Sequence, residues 1–464
     1  MKTTSCKVCL LGLLLPALLP AQEVGLLRLD PDRSARETEV ALWGGVEEGW
    51  FRPTYAGTFQ WSAGARAEGV RHGEKTTWMG AVSLEQRTGY GMLSSMLQEP
   101  GYFPVDLLEF TQGSKSRETG RLEAGFVTDL GYEYAAGLKA SFQAGYQGKQ
   151  TELRHSSFGM DLQVEPTLTY IMDDNMGLAM AYVFRLKTER VQLQPGDGEA
   201  AFLDRGLRYG SFVDGAGVFP LLQLSHGLAG HFSSEEASAG LEWTWKRGQA
   251  GASDFGSYLF PGSAVSLFYE QVFLADRTDH VIRVSYRRDR DQLREKNADG
   301  AGFTALSDRL GRDVTLKYEL RFLDGAVRRL GIALDGHRHE DRSLSPMSDL
   351  VKRNLGVATL STSFSFGPVD LDLEALAGGG LWRDRGRSKE EPEDRPYRRT
   401  EDWLRLMDYQ MAPRVGAGGA LTFHFPSPKG LYIRLDGRWL HALRKTATGG
   451  QNREIGNLTF GYDF

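Results

Sequence analysis

Three runs of alternating charge are the residues best placed to act on a solute. Lys317, Glu319 and Arg321 fall at every second position, as do Asp370, Asp372 and Glu374, and again Arg434, Asp436 and Arg438. Residues two apart on an extended chain project to one side, so each run is a row of like-facing charge. Acidic and basic rows around a common space could orient a charged solute in passage. The same nine residues also fit a wet wall of mutually paired charges with no selectivity, and we prefer that plainer reading for most of them. His337 and His339 repeat the two-residue spacing and precede Glu340 and Asp341. Imidazole and carboxylate are metal ligands, but a histidine pair at a strand end among charges is ordinary surface composition. Neither a metal nor a cofactor is expected. His155 and His441 stand apart in the sequence. Asp173-Asp174-Asn175 and Gly196-Asp197-Gly198-Glu199 lack full calcium-loop spacing and read as turns.

The elements that must position these rows are strands. Val314, Leu316, Tyr318, Leu320 and Phe322 alternate with Thr315 and the first charged row. Val369, Leu371 and Leu373 separate the second row, and Leu431, Ile433, Leu435 and Trp439 flank the third. Leu138, Ala140, Phe142, Ala144 and Tyr146, Leu178 through Leu186, and Leu241, Trp243 and Trp245 repeat the pattern. The strands run about ten residues or more, longer than those of globular sheets, with aromatics near the ends of the apolar face. Short links such as Met172–Met176, Ala275–Thr278, Asp324–Val327 and Pro426–Lys429 alternate with long ones such as Asp291–Leu310, Asp341–Asn354 and Trp382–Met411. This predicts an all-β, transmembrane antiparallel β-barrel with short periplasmic turns and long extracellular loops. The strand number is about 18 (14–18), counting a weak strand near Val218–His231 and a first one at Thr38–Gly45. If the apolar faces meet lipid, the nine charges face the lumen, because a charge on the lipid face costs about 2–4 kcal/mol at mid-depth.

The chain closes on Gly456, Leu458, Phe460, Tyr462 and Phe464 at alternate positions, with Asn457, Thr459, Gly461 and Asp463 between them. This ending, with Leu458, Phe460, Tyr462 and the terminal Phe464 on one face, resembles the C-terminal sorting strand of Gram-negative outer-membrane β-barrels. Within that superfamily the chain is similar to an uncharacterised family of unknown function, and no site residues carry over. The resemblance implies transit through the periplasm and insertion by the barrel assembly machinery. It also implies contact with outer-membrane lipid and lipopolysaccharide. Some outer-membrane barrels are rim enzymes, but no local catalytic motif is present.

The segment Thr88–Glu118 is too apolar for a solvated loop. Tyr90, Tyr102, Phe103 and Phe110 are its aromatics, and Pro100-Gly101-Tyr102-Phe103-Pro104 is rigid and turned. It is expected to fold into the barrel as a constriction or to pack as a lid on the rim. Basic clusters at Arg283–Arg294 and Arg395–Arg399 are expected in outer loops, where they could meet lipopolysaccharide phosphates.

The N-terminus reads as a secretory signal peptide: Lys2 and Lys7, an apolar run from Leu10 to Leu19, and Pro20-Ala21 before Gln22. Residues 1–21 are assigned to it and 22–464 to a single barrel domain. Cys6 and Cys9 fall within the leader, so a mature chain cut after Ala21 has no cysteine, which excludes disulfides. The net charge of −5 becomes −7 without Lys2 and Lys7, and no nucleic-acid partner is expected. The 56 glycines and 11% aromatics suit strands, turns and aromatic girdles. The function expected is a channel or transporter for a small or medium solute in the outer membrane. The alternative is a structural or assembly partner of an envelope complex with a plugged lumen, and the lesser one a rim enzyme.

Overall fold

A computed structural model describes residues 37–464, apart from interruptions at 132, 174–175, 195, 197–198, 208, 252–255, 301, 346–347, 385–404 and 448–449. The expected leader and the Arg395–Arg399 cluster lie outside the described residues, as do Asp174, Asn175, Asp197 and Gly198 of the two turns.

The strands are β1 (Glu37–Gly49), β2 (Phe59–His72), β3 (Thr76–Ser95), β4 (Asp106–Gly131), β5 (Tyr134–Lys149), β6 (Arg154–Asp173) and β7 (Met176–Gln194). They continue as β8 (Ala200–Asp204), β9 (Gly210–Asp214), β10 (Gly217–Ser233), β11 (Ala237–Ala250), β12 (Tyr258–Leu274), β13 (Thr278–Lys296) and β14 (Phe303–Phe322). The last are β15 (Val327–Ser343), β16 (Leu350–Phe366), β17 (Val369–Asp384), β18 (Arg414–His424), β19 (Leu431–Ala442) and β20 (Asn452–Asp463). β8 and β9 form a hairpin inside the connection from β7 to β10. The other eighteen close into one antiparallel barrel. β1 completes the ring by pairing with both β2 and β20: Leu42 lies opposite Ala65 on one side and Phe460 on the other. Closure leaves no unpaired edge, the condition for a sheet in lipid.

Eighteen is the strand number the alternation favoured. The weak region near Val218–His231 is the body of β10, and Thr38–Gly45 lies within β1. The apolar rows stand outward: Val314, Leu316 and Tyr318 are exposed, while Asp313 and Glu319 at alternate positions are buried. On β5 the outward row runs from Tyr134 through Leu138 and Phe142 to Tyr146, with a tyrosine at each end, the signature of interfacial girdles. At the short-turn end, Trp78 faces Phe126 (5.2 Å between ring centroids) and Tyr134 faces Tyr170 (5.2 Å).

Two expectations are corrected. The segment Thr88–Glu118 is mostly strand, since β3 extends to Ser95 and β4 begins at Asp106. The stretch Arg283–Arg294 is not a loop but part of β13, where Arg290 makes an ion pair at 2.8 Å with Asp308 of the neighbouring strand. In both places the polar alternation continues above the lipid belt, and cross-strand pairing extends the ladder into water. The link Trp382–Met411 ends in a short helix at 405–411, which buries Met407 and Met411, one turn apart. Next to it, Phe51, Ala412, Leu440 and Ala442 form a small core.

Candidate functional site: the lumen and its inserted segment

Because lipid takes the outer face, the largest dry core lies inside the mouth. It is built on the ten residues 96–105 between β3 and β4. Met96, Leu97, Phe103 and Val105 are at most 1% exposed, packed with Val191 of β7, Phe219 of β10, Phe260 of β12 and Leu293 of β13. Polar contacts pin the segment to charges on widely separated strands. Arg117 of β4 donates to the Gln98 carbonyl (2.7 Å), and Lys115 donates to the Ser95 carbonyl (2.8 Å). The Gln98 amide donates to Glu189 of β7 (2.7 Å), and Lys187 pairs with Glu99. At the far end Arg309 of β14 donates to the Phe103 carbonyl (3.2 Å). The ladder runs from β4 through β5, β6, β7, β10, β11, β12 and β13 to β14. That path is close to half the circumference, so the segment crosses the lumen, and the face carrying Arg117, Lys187 and Arg309 is the inner one.

Chemistry at the crossing is aromatic and cationic. The Lys187 ammonium sits 3.7 Å from the Tyr102 ring centroid, with Arg185 at 5.6 Å, a cation–π arrangement. Burial pushes the Tyr102 phenol up to about 12, against the lowering effect of Arg185. Phe103 meets Phe260 edge-on at 5.8 Å. Phe260 can lie flat on the wall because Gly248 is opposite it; a Cβ there would sit 1.7 Å from the ring.

A second layer covers the first. Strand β8 pairs with the start of β4, Leu107 opposite Leu203. Its hairpin reaches across the mouth until Tyr209 donates to Asp349 (2.8 Å), beside β16, and Arg205 meets Glu295 (3.3 Å) of β13. Phe110 packs on Phe202 (6.1 Å) and Phe212 (6.3 Å) and holds the hairpin in place. Beneath it lies a buried charge cluster: Glu109 between Lys115 (2.7 Å) and Lys149 (2.5 Å), with His155 Nε2 at 3.9 Å. His155, isolated in sequence, thus belongs to the mouth.

The expected aromatic set therefore divides. Phe103 and Tyr102 belong to the crossing and Phe110 to the hairpin seam. Tyr90 stands on the outer surface against Phe59 (6.1 Å), because even positions of β3 (Trp78, Val82, Leu84) point outward.

All nine alternating charges have partners on the inner wall. Glu319 is approached by Arg321 (2.6 Å), Lys317 (3.5 Å) and Arg329 (3.8 Å). Asp372 meets Arg434 (3.6 Å) and Glu374 meets Arg438 (2.5 Å). Asp436 accepts from Asn457 (2.7 Å), and Asp370 lies 3.0 Å from His424. Arg321 and Asp372 thus sit among compensating groups, the arrangement of a neutralised polar wall. His337 and His339 face inward and approach Asp313 of β14, at 2.7 and 3.7 Å. Glu340 is on the other face with Arg338, and Asp341 is held by Arg353. Sequence reasoning missed Lys187, Glu189 and Arg309 as anchors and missed the β8–β9 hairpin. The hairpin had a local signal in Phe202 and Phe212 flanking Gly206 and Gly210.

A closed antiparallel barrel of eighteen strands, apolar outside and charged within, defines the class: a transmembrane β-barrel of the outer-membrane type. The chain belongs to the family described as "Family of unknown function (DUF6850)", whose model matches residues 24–464. Among solved structures it is similar to the FrpB iron transporter of Neisseria meningitidis (F3-3 variant), with a TM-score of 0.49, 7% identity, and 92% of this chain and 81% of that one covered. It is similar to the ferric-catecholate import receptor Fiu of E. coli K12 in its open form, with a TM-score of 0.44, 8% identity and coverage of 93% and 82%. It is also similar to OccAB2 of Acinetobacter baumannii, with a TM-score of 0.38, 10% identity and coverage of 92% and 98%. No curated protein matches the chain.

Proposed function

We propose that this chain is an outer-membrane channel or transporter for a small or medium polar solute, gated at its mouth by residues 96–105. A barrel of eighteen strands is wide enough for a water-filled lumen unless loops fill it. The observation that carries the reading is the crossing segment, tied to β4 at one end and through Arg309 to β14 at the other. It narrows a lumen whose wall below is polar and charge-paired. In this reading the leader 1–21 is cleaved, the domain 22–464 passes the periplasm, and the barrel assembly machinery inserts it by the strand ending in Phe464. The long-loop end then faces outward, and its basic residues meet lipopolysaccharide.

Planar-bilayer recording tests the proposal. The intact protein is expected to show small or intermittent conductance. Replacing 96–105 by a short Gly/Ser link should open a steady and larger pore. Equal conductance of the two proteins overturns the gate. Because the second layer from the β8–β9 hairpin also covers the mouth, a second reading is a plugged barrel serving as an envelope assembly partner. That reading requires both proteins to stay silent.

A further inference from the structure

We propose that Asp313, His337 and His339 form a binding site for one divalent transition-metal ion of the zinc type on the inner wall of the barrel. Asp313 on β14 lies directly opposite His337 on β15, and His339 lies opposite Gly311. One ligand atom from each of the three residues falls within 4.8 Å of the others. Donors bound to one ion at about 2.0–2.2 Å stand roughly 3–4 Å apart, so a small inward rotation of these side chains closes them on an ion.

The burial of the three side chains is graded. Asp313 and His337 are 6% and 9% exposed, whereas His339 is 40% exposed and open to the lumen. An ion could therefore arrive from luminal water at His339 and settle against two nearly buried donors. His337 Nδ1 faces the Asp313 carboxylate, while its Nε2 is buried with no hydrogen-bond partner among the described residues. A histidine serving only as a wall partner would have both ring nitrogens satisfied, because an unmet buried polar atom is costly. Coordination gives this ring a reason to be here that one hydrogen bond does not.

The next ring of residues supports the site. Gly311 leaves a gap into which Asp289 leans: a Cβ at Gly311 would lie 2.5 Å from Asp289 Oδ1 and 3.3 Å from His339 Cε1. A second carboxylate is thus close to the exposed imidazole. Arg353, opposite His339, is drawn to Asp341 (2.5 Å) and to Gln410 (2.9 Å). Arg287 stands opposite Asp313 and offsets part of the local negative charge. Two imidazoles and a carboxylate select zinc, cobalt, nickel or copper over magnesium and calcium, which favour all-oxygen ligands.

The test needs no open pore, so it succeeds or fails separately from the channel reading. Untagged full-length protein in detergent at neutral pH is titrated with Co2+, following the visible d–d bands, and Zn2+ is competed against a chromophoric chelator. One ion per chain is expected, undisturbed by excess Mg2+, with uptake falling at pH 5 as protons take the imidazoles. His339→Ala, at the most exposed ligand, should weaken binding at least tenfold, and Asp313→Asn should do the same. Absence of stoichiometric uptake by the natural chain overturns the proposal. So does undiminished uptake by His339→Ala that still migrates as a folded barrel, because the ion then sits elsewhere.

Discussion

The Phe103 carbonyl accepts a hydrogen bond from Arg309, 206 residues later in the chain and nearly opposite β4 on the wall. It turns a loop that begins beside β4 into a bar across the lumen. The bar has a rigid proline-bounded tip at Pro100–Pro104, a dry underside and a charged fastening at each end. Such a device can be released at the fastening without unfolding the barrel, because the ladder does not depend on it.

Arg309→Ala should loosen the far end. A hydrogen bond from a charged group contributes about 1.5–3 kcal/mol, so the released state should gain one to two orders of magnitude in population. Bilayer recordings of this variant should show longer or more frequent openings than the natural chain, with the circular dichroism of the barrel unchanged. Identical gating would show that packing around Phe103, and not the ion, holds the bar.

Gly248 should tolerate no side chain. A Cβ would strike the Phe260 ring, which in turn seats Phe103. Gly248→Val should cost about 1–3 kcal/mol by overpacking, seen as a lower urea midpoint for release of the mouth. Phe260→Ala should by itself cost about 3–5 kcal/mol through the cavity it leaves, but the two changes together should cost less than the sum of the single losses, because the clashing ring is gone. Full additivity would place the damage of Gly248→Val in the ladder.

Much of the architecture was legible because hydrocarbon imposes a period of two on every strand it touches. Leu316 and Tyr318, with Lys317 between them, declare both faces at once. Strand ends were less legible, since above the lipid belt nothing apolar marks where a ladder stops; β13 therefore absorbed the arginines read as a loop. The crossing contacts were invisible, because nothing near Arg309 in sequence signals Phe103. The approach of Asp313 to His337 was recoverable in principle. The turn after Phe322 fixes Arg321 opposite Arg329, and equal steps back along both strands bring Asp313 opposite His337.

The lipid-facing assignment is itself testable with two adjacent residues. Leu316 points outward and Thr315 inward, where its hydroxyl donates to Asp335 (2.7 Å). Leu316→Lys should destabilise the protein refolded in vesicles by about 2–4 kcal/mol. Thr315→Lys should cost much less, since Asp335 stands ready as a partner. Equal costs would contradict the orientation of β14.

The mouth should loosen as pH rises. Asp106, fully buried at the start of β4, has its carboxyl pushed up to about 8, chiefly by burial, with Asp204 opposite and Glu189 adding repulsion. Ser95 donates to it at 2.9 Å and offsets part of that rise. A carboxyl whose folded value lies above its unfolded one near 3.8 stabilises the closed form fully at low pH. That contribution declines as pH climbs and is gone above about 8. Between those limits the closed mouth holds a proton that the open mouth releases, so opening should become easier by up to about tenfold per pH unit. Hydrogen exchange of the 96–105 amides, corrected for intrinsic rates, should show weaker protection at pH 8.5 than at pH 5.5. Asp106→Asn, which cannot ionise, should show the same protection at both. If that variant keeps the full dependence of the natural chain, the proton is bound elsewhere.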